Sequence, residues 1–107
     1  MATRSRIGIE NQDGTVSSIY CHWDGHPSHN GKILQEHYTD REKLQRLISL
    51  GDISSLGIRV EPTEPWHSFD NPERGTTVAY HRDRREPFSK PTVNYHIKAF
   101  GYSNYGE

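Results

Sequence analysis

Polar and apolar residues alternate over two stretches near the N-terminus. In residues 4–10, Ile7 and Ile9 share one side, with Gly8 between them. In residues 15–23, Ser17, Ile19, Cys21 and Trp23 fall on one side and Val16, Ser18, Tyr20 and His22 on the other. This period of two predicts two strands, and apolar bulk on both sides of the second predicts a central one. Asn11-Gln12-Asp13-Gly14 lies between them, and Asp-Gly tolerates the positive φ of a tight hairpin.

The period then changes. Asp24-Gly25-His26-Pro27 breaks the strand. Ser28 or Asn30 can cap a helix over residues 31–38, where Ile33, Leu34, His37 and Tyr38 recur at helical spacing. Thr39-Asp40-Arg41-Glu42 matches a capping box and predicts a second helix from Asp40, with Leu44, Leu47 and Ile48 as its buried stripe and Gly51 as its stop. Residues 52–57 read as one more capped turn that tucks Ile53 and Leu56 under the helices.

Residues 58–75 hold Pro62, Pro65 and Pro72 and no sustained period. Trp66 and Phe69 in this polar stretch predict a loop packed by its own side chains, serving as a lid or a subunit contact. Strand character returns over residues 75–84, with Val78, Tyr80 and Arg82 alternating against Ala79, His81 and Asp83. After a connector, residues 92–100 alternate again: Val93, Tyr95, Ile97 and Ala99 against Asn94, His96, Lys98 and Phe100. The sum is a single α+β domain over residues 1–107 in ββααββ order, an antiparallel sheet of about four strands with two helices on one face.

Composition changes this picture in two ways. Hydrophobic residues are only 31% of the chain, but eleven aromatics and a net charge of −1 separate it from disordered sequences. A core this thin is helped by association, so a homo-oligomer is expected. Charge is balanced: six Lys/Arg and seven Asp/Glu in residues 1–53, seven of each in 54–107. That balance argues against general nucleic-acid binding and a polybasic membrane surface. The single cysteine excludes an internal disulfide framework. With no apolar leader and no run of membrane-spanning length, a cytoplasmic protein is expected.

Four groups could carry chemistry. His22, Asp24, His26 and His29 offer imidazole and carboxylate ligands to a divalent metal that could activate water, although their spacing matches no metal motif and a polar turn with Asp24 capping backbone amides and solvated histidines is the simpler reading. Cys21 beside His22 is a poor nucleophile pair, because adjacent strand residues point to opposite faces; a buried, inert thiol is expected. Arg82 and Arg84 should share a strand face with Tyr80, so that guanidinium forks hold an anion while the ring stacks, with Arg4 and Arg6 joining them if the strands are neighbours. Trp66 and Phe69 could form a binding surface or simply fill a small core.

Thr3-Arg4-Ser5-Arg6-Ile7-Gly8-Ile9-Glu10, Asp13-Gly14-Thr15-Val16, Ile19-Tyr20-Cys21-His22-Trp23-Asp24-Gly25, Lys32-Ile33-Leu34, His37-Tyr38 and the run from Leu50 to Gly57 together resemble a family of small uncharacterised proteins of tailed bacteriophages, prophages and bacteria. The likeness covers about the first half of the chain, and Thr77-Val78-Ala79-Tyr80 fits it later. It carries no catalytic residue and no cofactor across. Its phage setting implies a small, often oligomeric accessory protein acting in the host cytoplasm.

The expectation is a non-enzymatic protein that binds a small anionic ligand, such as a nucleotide immune signal, through Arg82, Arg84, Tyr80, Arg4, Arg6, Trp66, Phe69, His22 and Tyr20, and so counters host defence. The alternatives are a protein–protein inhibitor or structural interaction module using the Trp66/Phe69 loop, and a metal-assisted hydrolase at His22, Asp24 and His26.

Overall fold

The computed structural model describes residues 3–94. The hairpin is as the alternation predicts: β1 (Ser5–Glu10) pairs antiparallel with β2 (Val16–Cys21), Ile7 opposite Ile19 and Ile9 opposite Ser17. Gly14 turns the chain at φ 87°, and the Asp13 carboxylate accepts from the Thr15 amide and hydroxyl. Gly8 is fixed by close approach, since a Cβ there would lie 2.9 Å from Val16 Cγ1.

The chain then crosses through a single π-helical turn (Pro27–Gly31) into α1 (Lys32–His37) and α2 (Arg41–Ser49). The capping residue of α2 is Asp40, whose carboxylate accepts from the Glu42 amide at 3.1 Å, one position later than the predicted Thr39. Gly51, at φ 77°, ends the helical block. Ile7, Ile9, Ile19 and Cys21 pack with Tyr38, Leu47, Ile48, Ile53, Leu56, Val60 and Ala79 in one core, with Ile33, Leu34 and Leu44 on its margin. Each fully buried aliphatic side chain here contributes about 1.5–3 kcal/mol of transfer free energy.

Two expectations are corrected in the second half. Residues 53–55 form a strand, β3 (Ile53–Ser55), rather than a helical turn. It runs parallel to β2, with Cys21 opposite Ile53, so the sheet is mixed rather than wholly antiparallel. The strand predicted over residues 75–84 shrinks to β4 (Val78–Ala79), antiparallel to β3, and the chain then coils into α3 (Tyr80–Arg84). The Asp83 carboxylate reaches back to the Ala79 amide at 2.7 Å and closes this turn. Arg85, at φ 61°, stops it. β5 (Thr92–Asn94) pairs antiparallel with β2 on the side opposite β1. Residues 95–100, the rest of the predicted last strand, and residues 101–107 lie outside the described residues. The fold is α+β, with a strand order β1-β2-β3-β4 and β5 beside the first half of β2. No helix among the described residues is long and apolar enough to cross a membrane.

Trp23 is also corrected. The strand ends at Cys21, so alternation does not carry Trp23 inward; it is 43% exposed and meets the His22 ring edge-on.

Candidate functional site

The register of the hairpin places Arg6 opposite Tyr20 on the sheet face away from the core residues Ile7 and Ile19. Just beyond the strand ends, His22 joins this face through its contact with Tyr20, and Arg4 through the depression it lines with Arg6 and Tyr20. The Tyr20 hydroxyl and His22 Nδ1 lie 2.7 Å apart. Arg6 lies across the face, donating from Nε to the Ser18 hydroxyl and from Nη2 to the Ser18 carbonyl. Gly8, opposite Ser18, has no side chain to obstruct it. Arg4, Ser5, Arg6 and Tyr20 line a shallow depression of about 300 Å³.

A second depression, of about 190 Å³, adjoins it across Tyr20 and is lined by Asp52, Tyr80, His81, Glu86, Pro87 and Ser89 as well. Asp52 is held there because its carboxylate accepts from the Tyr20 amide at 3.0 Å, extending the β2–β3 junction. Burial pushes the Tyr80 phenol up, outweighing the Ser54 hydroxyl, so at neutral pH it is a neutral donor. The Tyr80 ring meets Phe69 at 5.7 Å, and the Arg84 guanidinium lies 4.8 Å over the Phe69 ring while also pairing with Glu86 at 3.2 Å.

Of the residues predicted from sequence, the structure therefore groups Arg4, Arg6, Tyr20 and His22, and joins Tyr80, Phe69 and Arg84 to them through Tyr20. Arg82 and Arg84 do not share a strand face with Tyr80, because all three lie on α3. Arg82 points into the protein. It donates to Asp83 from Nε and Nη2, to Val60 O from Nη1 and to Thr77 O from Nη2. These bonds tie α3 to β4 and to the loop before it. Trp66 stands apart, 51% exposed, so the loop is packed by something other than its tryptophan.

The packing element is polar and was not visible in the sequence. Glu73 is buried at the centre of the loop and accepts from the Thr63 amide and hydroxyl, the Glu64 amide, the Thr76 hydroxyl and Arg59 Nη2. Burial alone would raise this carboxyl; the bonds from Thr63, Thr76 and Glu64 outweigh it and hold it down at about 2. Beside it, His67 Nδ1 accepts from the Glu73 amide at 2.9 Å, which leaves the ring proton on Nε2, 3.1 Å from Asp83 Oδ2 and off the line of a good hydrogen bond. The pair has the look of an acid–base dyad, but neither ring nitrogen is free to take a proton from a substrate. It is a brace between loop and α3. Pro62-Thr63-Glu64-Pro65 is its one trace in the sequence, a turn whose amides need an acceptor.

The four residues of the metal expectation part company. His22 meets Tyr20, His26 Nε2 meets the Thr3 hydroxyl at 3.1 Å, and His29 Nδ1 meets Asn30 Oδ1 at 3.0 Å. Asp24 adopts φ 59°, and its carbonyl accepts from the Asn30 amide. Among the described residues, no three His, Cys, Asp or Glu side chains converge as a metal site. Cys21 is buried as expected, its thiol pushed up to about 11 by that burial. The Asn30 side-chain Nδ2 donates to its sulfur and to Trp23 O, pinning the turn where the sheet gives way to helices.

No protein-family model, curated protein or solved structure matches the chain.

Proposed function

We propose that this protein binds a small anionic ligand carrying a planar ring, of nucleotide type, on the outer face of its sheet. It does so as a non-enzymatic accessory protein of phage type that withdraws an immune signal in the host cytoplasm. The observation that carries the reading is Tyr20, shared by two adjoining depressions of opposite character, one flanked by Arg4 and Arg6 and the other by Tyr80, Asp52 and Glu86. That asymmetry orients the ligand. Phosphate belongs on the arginine side, where guanidinium forks match its oxygens. The ring belongs on the Tyr80 side, where carboxylates repel phosphate but accept from ring N–H and amino groups, and where a tyrosine offers a stacking surface. The phage setting belongs to the proposal and comes only from the resemblance of the first half of the chain.

The test is thermal unfolding of the full chain with a panel of mono-, di- and cyclic nucleotides. At least one should raise the melting temperature. Arg4→Ala removes a guanidinium without other partners among the described residues, and it should weaken that ligand by about 10–100-fold, the loss of one or two charge-assisted bonds. A flat response of the wild-type protein to the whole panel refutes the reading.

A second reading is favoured by Trp66, an exposed tryptophan on a loop braced by Glu73. A large aromatic held rigidly in water suits a protein contact. A host partner captured by the wild type and lost on Trp66→Ala would support an inhibitor or interaction module.

A further inference from the structure

β1 is an edge strand: β2 pairs with one side of it, and no other strand among the described residues takes the second side. Its parity is set by the Asn11 amide, which donates to Thr15 O at 2.7 Å. Antiparallel ladders alternate, so Ile9, Ile7 and Ser5 exchange bonds with Ser17, Ile19 and Cys21, and the amides and carbonyls of Arg6, Gly8 and Glu10 point outward. Six residues of regular strand without proline, bulge or covering helix are a template for another strand.

We propose that this edge is occupied by β1 of a second copy of the chain, antiparallel about a two-fold axis through Gly8. The sequence of the strand is self-complementary in that register; with Ile7 opposite Ile7 the charge pair would be Arg4 with Glu10 instead, and Arg6→Glu tells the two apart. With Gly8 opposite Gly8, Arg6 of each copy faces Glu10 of the other, and Ile7 faces Ile9 on the core side. Opposite charges directly across a ladder stabilise it, and like charges oppose it. Sliding the pairing towards the N-terminus by two residues on each strand sets Arg6 against Arg6. Sliding the other way loses the charge pairs. To meet Glu10 of the other copy, the Arg6 guanidinium turns from Ser18 on β2, where Nε and Nη2 donate in the single chain, to the free edge. At the strand end, Arg41 already donates to Glu10 O at 2.7 Å, so this one outward carbonyl is shared or exchanged on association. The result is one sheet running through both copies, with the two Arg4/Arg6/Tyr20 faces on its same side, an isologous arrangement of the commonest symmetry.

The test is a charge swap on the full chain, read by sedimentation velocity at about 10–100 μM, a range that resolves a micromolar dimer. The wild type should sediment as a dimer. Arg6→Glu sets carboxylate against carboxylate, and Glu10→Arg sets guanidinium against guanidinium, so each single variant should be monomeric. An equimolar mixture of the two should regain the dimer, because each then supplies what the other lacks. Circular dichroism confirms that each variant is folded, and Glu10→Arg leaves the Ser18 contacts of Arg6 in place should Arg6→Glu prove unstable. A monomeric wild type overturns the proposal. A dimer that persists in a folded single variant also overturns it, and so does a mixture of folded variants that stays monomeric.

Discussion

Replacing Arg82 by alanine should destabilise the fold rather than empty a ligand site. The guanidinium makes bonds of 2.6 Å to both Val60 O and Thr77 O, and it pairs with Asp83 at 2.8 Å. The Asp83 side chain is only 4% exposed. Burial works against its charge, and the bonds from Arg82 and the Ala79 amide, with the His67 ring N–H beside it, more than offset that, so its carboxyl titrates below its ordinary value. Removing one member of a buried pair costs about 3–5 kcal/mol because the other is left charged and dry. The Arg82 side chain is itself 24% exposed, so water can partly replace it. That puts the expected loss at roughly 2–4 kcal/mol. A domain of this size has about 5–10 kcal/mol in all. With a urea dependence of about 1 kcal/mol per molar, the midpoint should fall by roughly 2 M or more. Urea titration followed by far-ultraviolet circular dichroism measures it. Arg82→Lys keeps the charge but cannot span two carbonyls and a carboxylate, and should fall between wild type and Arg82→Ala. A midpoint for Arg82→Ala within about 0.5 kcal/mol of wild type, the range of an ordinary surface substitution, refutes the bracing role.

Acid stability should depend on Glu73. Its folded value lies below the ordinary 4.5, so its contribution is complete above about that pH and is lost as pH falls towards about 2; Asp83, depressed below 3.8, acts in the same direction. Glu73→Gln should therefore lower stability at neutral pH and flatten the decline between those limits, and an unchanged acid limb would contradict the assignment. Cys21, buried and with its thiol raised to about 11, should react with a disulfide reagent at pH 8 at least about 100-fold more slowly in the native protein than in urea. Rapid stoichiometric labelling of the native state would count against its place in the core.

The first half of the fold was legible because its signals are long. Six-residue strands and a nine-residue helix let alternation and the Leu44/Leu47/Ile48 stripe show through, and Gly14 and Gly51 mark turns that demand positive φ. The second half is built from pieces of two to five residues, too short for either period to register. Ile53-Ser54-Ser55 becomes a strand because Cys21 lies on one side of it and Val78-Ala79 on the other, and the turn from Tyr80 to Arg84 is closed by Asp83 reaching back to Ala79. The same split divides the candidate site. Alternation pairs Arg4 with Arg6 and Tyr20 with His22, but only the hairpin register, with Arg6 opposite Tyr20, brings the two pairs to one face. The fate of Arg82 depended on Val60 and Thr77, which are distant in the chain and contribute carbonyls that any residue would have.

The most direct test of the ligand site is an amide chemical-shift titration of the full chain with the nucleotide that most raises its melting temperature. The account predicts perturbations at Arg4, Arg6, Tyr20, Asp52 and Tyr80, with the phosphate end nearest the arginines. Perturbations centred on Trp66, or none along the outer face of the sheet, would contradict it.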